Sequence, residues 1–500
     1  MTPPTIATIL ASAQAEPCRP WPRHRLPHLG WRALIDALRH EPHRLLALWA
    51  DTIEVHALLL HDPGLGVIAV STAIEVGAYP ALSAVRPAAE PFERMIRDLW
   101  GHHAADARDE RPWLDHGQWP VTLPLSPRPG SAPIEPEPPS FPTAEGDHAT
   151  RLPIGPVAGL ITDAAHLRLT LSGTAIRSAE AHLGYAHKGT LALMRGKSPR
   201  AAARFIARLS GDATVAHSLA FARASEAALE TEAPPRAQAL RLLLAEWERM
   251  SVHLAHFADL GVLTGAAGLH RIAEGAREHL ARAAEAAFGH RLLMDVVVPG
   301  GVSHDIAPDG QVVLRAALTA FVETLPPLAA ALEHPPLASR LSGLAHVPLG
   351  LANRLGAGGV VGRGSGRAFD ARALDEAHGG IEWEAETQRQ GDETARNLVR
   401  LREIAASIGI IDRLSGFLPD GPVAVTLPAG SGEGIGCAEG PHGDIWHWLR
   451  LDHGHIAAAF PRDPAWALWP LAEHVMAGAA VEDVALIRCS LGLTVSGMDL

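Results

Sequence analysis

Cysteine is nearly missing from this chain: there are three in 500 residues, Cys18, Cys437 and Cys489. Thiols so few and so scattered exclude a disulfide framework. They also exclude an iron–sulfur cluster held by this chain alone, which generally takes four cysteines, and they fit a reducing compartment. Lysine is limited to Lys188 and Lys197, and tyrosine to Tyr79 and Tyr185. The formal charge of −12 argues against a nucleic-acid-binding surface. No apolar run approaches the roughly 20 residues that cross a bilayer. The first twenty residues lack the basic start and apolar core of a signal peptide, so membrane contact is expected only through partners. No Gly-x-Gly-x-x-Gly follows a strand. The glycine-rich stretch 356–366 lacks the Lys-Ser/Thr of a phosphate loop and reads as a flexible surface loop.

Apolar residues make up 47% and charged residues 20% of the chain, as in a folded protein with large cores, and the length suggests two or more domains. Residues 25–120 mix patterns. Helices are expected at 31–38 and 91–100, and strands at 53–60 and 66–71, joined by a turn at Asp62-Pro-Gly. Prolines then crowd between Pro120 and Pro142. Proline fixes φ and lacks a ladder donor, so 121–150 reads as a linker. Beyond it, 167–171 and 173–177 read as a hairpin, after which the chain turns helical. Pro234-Pro235 opens a helix with an apolar stripe from Leu240 to Phe257, expected to stop at Gly261. Further helices are expected at 269–288, 392–411 and 473–480, and a last strand at 484–488. The fold class is α+β: a small N-terminal α/β unit, then a large mainly helical one (151–500) with peripheral β-hairpins.

Two segments carry the chemical signal: Arg208-Leu-Ser-Gly-Asp-Ala-Thr-Val-Ala-His-Ser218, and the C-terminal Cys489-Ser-Leu-Gly-Leu-Thr-Val-Ser-Gly-Met-Asp-Leu500. Each resembles one of the two nickel-binding motifs of nickel–iron hydrogenase large subunits, with the cysteines replaced. Supporting blocks occur in order: Leu183-Gly-Tyr-Ala-His-Lys-Gly189, Pro234-Pro-Arg-Ala-Gln238, Glu246-x-Glu-Arg249 and Ala438-Glu-Gly-Pro-His-Gly-Asp444. They are similar to the D subunit of NADH:quinone oxidoreductase and, more closely, to the large subunit of energy-converting hydrogenases of the formate hydrogenlyase type. In the N-terminal unit, Phe92-Glu-Arg-Met-Ile-Arg-Asp-Leu-Trp-Gly101 resembles the Glu-Arg-x-x-x-Asp-Leu-Phe-Gly block of the C subunit of the same oxidoreductase, with Trp100 in place of Phe. A fused C–D arrangement is typical of the hydrogenlyase branch.

The resemblance puts the four metal-binding thiolates at Ser210, Ala213, Thr494 and Gly497. Soft thiolates hold nickel and iron in that site, so this chain is expected to bind no metal. An acidic residue of the family falls at Leu191. Cys489, five residues before Thr494, is a single thiol and no substitute for the four. By resemblance the chain docks an iron–sulfur small subunit, which sits on antiporter-like membrane subunits, giving a cytoplasmic protein peripheral on the inner membrane. A quinone could bind, with His166, before the hairpin strand, as a candidate contact; the family's quinone tyrosine has no counterpart. Asp212 and His217 could relay protons beside the vacated positions, near Thr214 and Ser496. Alternatively His217 and Glu439 hold the scaffold by structural hydrogen bonds, with Arg208 a surface or inter-subunit charge. His442, His447, His453 and His455 lie close in sequence and could bind zinc. The functional alternatives are a quinone-reducing role with a remodelled site and a non-catalytic scaffold or assembly protein.

Overall fold

The computed structural model describes residues 4–61, 66–131, 149–157, 164–375 and 383–500. The expected turn at Asp62-Pro-Gly and most of the proline-rich stretch lie outside them. Near the N-terminus, five strands form a mixed sheet in the order Gln14–Glu16, Arg23–Leu26, Gly66–Ala73, Glu54–His61, His43–Ala50. Only Arg23–Leu26 and Gly66–Ala73 run parallel. Helices His28–Leu38 and Glu90–Trp100 accompany the sheet. The segment 90–101 ends as its sequence dictates, on Gly101 at φ +78, where glycine carries no Cβ penalty.

The sheet belongs to the same buried core as the helical part of the chain, and ion pairs stitch the two together. Buried Arg23 bonds Glu433 through Nε (2.7 Å) and Nη2 (3.1 Å), and reaches Glu54 (3.0 Å) through Nη1. Arg450 reaches back to Asp51 at 2.6 Å. Pairing makes such burial tolerable.

The helical part is centred on Pro235–Thr264, which packs against Ala267–Phe288 and Glu393–Gly416. Gly261 does not end this helix. It lies inside it, where a Cβ would run into the backbone of His270 on the next helix, and the stop is Gly265 at φ +73. Residues 484–488 form part of a helix, Val484–Leu491, not a strand, and the helix before it is Ala465–Met476 rather than 473–480. An apolar run alone does not separate buried strand from buried helix, and here the helix buries Leu486, Ile487 and Leu491. His166–Ser172 and Ala175–His182 form the expected hairpin, joined by a third strand, Thr150–Ile154.

The stretch 356–366 is not a surface loop. It forms the end of one helix and the buried helix Gly359–Gly364, whose Arg363 is fully buried. The segment Gly310–Leu332 is apolar enough, by length and composition, to cross a membrane (hydropathy 1.4), which corrects the expectation that no such run exists. It is divided into helices Gly310–Val322 and Leu325–Leu332, both packed on Ala267–Phe288.

A three-stranded sheet, Gly432–Gly440, Gly443–Asp452 and His455–Arg462, fixes the functional region. Gly432, Gly434 and Gly436 alternate on one face of the first strand. A Cβ at any of them would collide with the carbonyl of Ala228, Ala224 or Ala220, respectively, on helix Thr214–Ala228. Two strand residues span about 6.7 Å and four helix residues about 6 Å. The glycine and alanine ladders therefore match, and the helix lies directly on the strand backbone. This close contact anchors the helix whose first turn carries His217.

Candidate functional site

The site forms where the turn 208–213 enters helix Thr214–Ala228, opposite the C-terminal segment 492–499. The first turn of a helix exposes unpaired N–H groups. Here Glu248, on Pro235–Thr264, accepts from Val215 (2.7 Å) and Ala216 (3.0 Å). Burial pushes its carboxyl up, against the pull of those two bonds, to about 8. Of the Glu246-x-Glu-Arg249 block, then, only Glu248 faces the site. Glu246 and Arg249 join a fully buried lattice behind it. There Arg249 bonds Glu246 (3.1 Å) and the Glu439 carbonyl (2.8 Å), Arg363 bonds Glu439 (2.7 Å) and Glu403 (2.5 Å), and Glu403 bonds His253 (2.8 Å). Glu439 is thus placed structurally.

Two separate polar groups surround the positions that the resemblance assigns to the thiolates. In the first, Ser210 Oγ donates to Asp212 Oδ1 (2.5 Å) and His442 Nε2 meets Asp212 Oδ2 (2.7 Å). Burial opposes ionisation of Asp212, but the His442 charge and these hydrogen bonds outweigh it and hold the carboxyl down to about 2. In the second, His217 Nε2 bonds Asp463 Oδ2 (2.9 Å) and its Nδ1 meets His447 Nε2 (3.0 Å). Burial first, and then the His217 charge, push His447 well below the usual imidazole range. His217 then donates from Nδ1 to the neutral His447 and from Nε2 to the Asp463 carboxylate, an assignment that follows from the network. Asp463 Oδ1 also accepts from Ala465 N (2.8 Å), so its carboxylate is fixed from two sides.

Asp212 and His217 therefore share no hydrogen bond. The four clustered histidines divide as well: His442 and His447 serve different groups, while His453 and His455 are exposed. Among the described residues they form no group of mutual metal-binding reach. Arg208 pairs with Asp295 (2.7 Å) at the surface.

The replaced positions are themselves engaged. Ala213 is buried and Thr494 accepts Trp469 Nε1 on its carbonyl (2.7 Å). At Gly497 a Cβ would fall on the Asp463 carboxylate, and 2.7 Å from the Asp463 Cβ. The carboxylate thus stands where a side chain at 497 would begin. Two hydroxyls, a methyl group and a hydrogen, with a carboxylate across the fourth place, do not fit a nickel–iron centre, which needs thiolates. Leu191 lies elsewhere, lining a cavity of about 220 Å³ with Trp100, Arg195 and Arg450. His166 is the first residue of its strand, opposite His182, with the rings 6.3 Å apart. Burial, then the Arg168 charge, lower its pKa.

Beside the site is a cavity of about 470 Å³, lined by Asp212, Trp247, Glu248, His256, His442, Cys489 and Thr494 among others. His166 is not part of its wall. Sequence reasoning singled out Asp212 and Thr494 but gave no role to Asp463 or His256. Asp463 carries no signal beyond following Arg462, and Glu248 was visible only as the middle of a motif.

The site thus sets a helix N-terminus against a C-terminal segment, over a buried histidine and a glutamate, at the two segments that resemble the motifs of nickel–iron hydrogenase large subunits. Comparison with known proteins agrees. The family model for the respiratory-chain NADH dehydrogenase 49 kDa subunit matches residues 259–429, and that for nickel-dependent hydrogenase matches 188–264. Formate hydrogenlyase subunit 5 of Escherichia coli (strain K12) is 28% identical over 451 residues, 84% of this chain and 78% of the relative. Membrane-bound hydrogenase subunit alpha of Pyrococcus furiosus is 26% identical over 343 residues, 64% of this chain and 80% of the relative. The D subunit of NADH-quinone oxidoreductase from Acidiphilium cryptum (strain JF-5) is 30% identical over 279 residues, 54% of this chain and 68% of the relative. The chain belongs to this superfamily of hydrogenase large subunits and NADH-quinone oxidoreductase D subunits. Its relatives are subunits of multi-subunit, membrane-associated oxidoreductase complexes.

Proposed function

We propose that this chain is a metal-free large subunit of a membrane-bound oxidoreductase complex related to complex I and the energy-converting hydrogenases. It docks an iron–sulfur subunit, through which it meets antiporter-like membrane subunits at the cytoplasmic face. There it supports electron transfer or its coupling to ion movement. One observation carries the reading: all four thiolate positions hold other groups, and at Gly497 the Asp463 carboxylate, bonded to His217, occupies the space a ligand side chain would need. The scaffold persists while the metal's place has been given to a hydrogen-bond network.

The test is to purify the tagged chain from solubilised host membranes, identify its companions and measure nickel and iron. Companions comprising an iron–sulfur subunit and membrane subunits, with no nickel, are expected. Stoichiometric nickel would overturn the metal-free reading. Recovery of the chain alone from the soluble fraction would favour the scaffold alternative.

A quinone-reducing role draws on the 470 Å³ cavity, whose wall joins Trp247, Val252 and Leu293 to Asp212 and His442. His166 lies outside that wall, so on this reading His442→Ala, in the wall, abolishes quinone-dependent turnover of the complex and His166→Ala does not. Unchanged turnover in His442→Ala refutes the quinone role of this cavity.

A further inference from the structure

The thiol discounted as a replacement ligand has an unexpected neighbour. Cys489 Sγ lies 3.7 Å from His256 Nδ1. His256 Nε2 bonds the fully buried Glu393 at 2.8 Å and Asn397 Oδ1 at 3.1 Å. The carboxylate behind the ring fixes the tautomer, with the proton on Nε2 and the Nδ1 lone pair facing the sulfur. Carboxylate–histidine pairs of this kind orient metal-ligating imidazoles. A tetrahedral zinc, with Zn–S about 2.3 Å and Zn–N about 2.0 Å, holds its sulfur and nitrogen ligands about 3.5 Å apart, close to the separation found here. Asp259 lies three residues after His256 on the same helix, so it projects on the same side one turn further on. Both residues line the 470 Å³ cavity, as does Cys489.

We propose that Cys489 and His256, joined by Asp259 on rotation of its exposed side chain, bind one borderline-soft divalent cation of the zinc class, with a fourth coordination position open to the cavity. Glu393 and Asp259 act on the thiol against Arg400 and Arg488, and the thiolate formed on binding supplies negative charge toward the cation. Burial, then the Glu393 charge, push the free thiol up to about 12. It is protonated near neutrality, and metal binding must expel that proton. The proposal is independent of the metal-free reading of the vacated centre, since Ser210, Ala213, Thr494 and Gly497 supply no ligand to it.

The test loads the chain, in its purified complex, with Co2+ as a zinc surrogate and reads the cobalt X-ray absorption edge, which iron–sulfur clusters in a partner do not obscure. One sulfur ligand per cobalt, at about 2.3 Å as in zinc–thiolate sites, is expected at one equivalent, with about one proton released per ion. The sulfur signal should vanish in Cys489→Ser. Affinity should fall about tenfold or more in Asp259→Asn, an exposed position whose substitution leaves the fold intact. Zn2+ should displace the cobalt. A thiol–imidazole hydrogen bond without metal function has the same 3.7 Å length and predicts no sulfur ligand. Absence of cobalt–sulfur scattering in the unaltered protein overturns the proposal. So does binding that survives Cys489→Ser unchanged, which would mean an adventitious ion only.

Discussion

Gly497→Ala is the sharpest probe of the remodelled centre. The added methyl would stand inside van der Waals contact of the Asp463 carboxylate and 2.7 Å from its Cβ, so one or the other must move. Overpacking a tight core costs about 1–3 kcal/mol. If Asp463 yields, its charge-assisted bond to His217 (2.9 Å) weakens as well, adding about 1.5–3 kcal/mol. A total near 4 kcal/mol is expected, in a chain whose net stability is on the order of 10 kcal/mol. The control is a double-mutant cycle. Asp463→Gly is destabilising alone, because it leaves His217 and the Ala465 N–H without their acceptor, but it also clears the space, Cβ included. In that background Gly497→Ala should cost less than about 1 kcal/mol, giving a coupling of about 3 kcal/mol or more. Denaturant midpoints followed by tryptophan fluorescence measure all four corners. The indole of Trp469, bonded to the Thr494 carbonyl, lies in the affected segment. A neutral Gly497→Ala, or costs that simply add, would refute the idea that the carboxylate occupies the ligand's place.

Other outcomes follow from the buried charges. Glu393 is held down to about 2: burial opposes this, and the charges of His256 and Arg400 with the His256 hydrogen bond outweigh it. Its stabilisation is therefore complete above an unfolded pKa near 4.5 and is lost as pH falls toward 2, about 3 kcal/mol in all; acid titration of stability should show this loss, and Glu393→Gln should flatten it. Arg23→Ala removes one of the partners of Glu54 and of Glu433, which keep Arg25 and Arg450, so a loss of about 1.5–3 kcal/mol and faster proteolytic release of the N-terminal unit are expected. Gly434→Ala forces helix Thr214–Ala228 off its strand at the Ala224 carbonyl. It should cost about 1–3 kcal/mol in a denaturation curve, whereas alanine at Gly275, which meets nothing within 4 Å, should cost none.

The sequence by itself determined the superfamily and most helices. Ordered motifs survive translation along the chain, and periodic apolar stripes such as Leu240 to Phe257 report a buried helix face. Read through the resemblance, it also gave the residue types at the four expected thiolate positions, since a ligand's identity is a property of one residue. Where sequence reading failed, the deciding contact was remote. Gly261 punctuates nothing because His270 packs on it, and the glycines of 356–366 are buried rather than mobile because Arg363 is neutralised by Glu403 and Glu439, 40 and 76 residues away. Residues 484–488 became a helix because their apolar side chains met a core from one side. The site was hidden for the same reason. Asp463 and His217, 246 residues apart, make a pair only when helix Thr214–Ala228 lies on the sheet, and His256 meets Cys489, 233 residues on, only across a finished cavity. Local sequence sets propensities and ligand types; which carboxylate faces which imidazole is set by close packing between distant segments, and only the tertiary structure decides it.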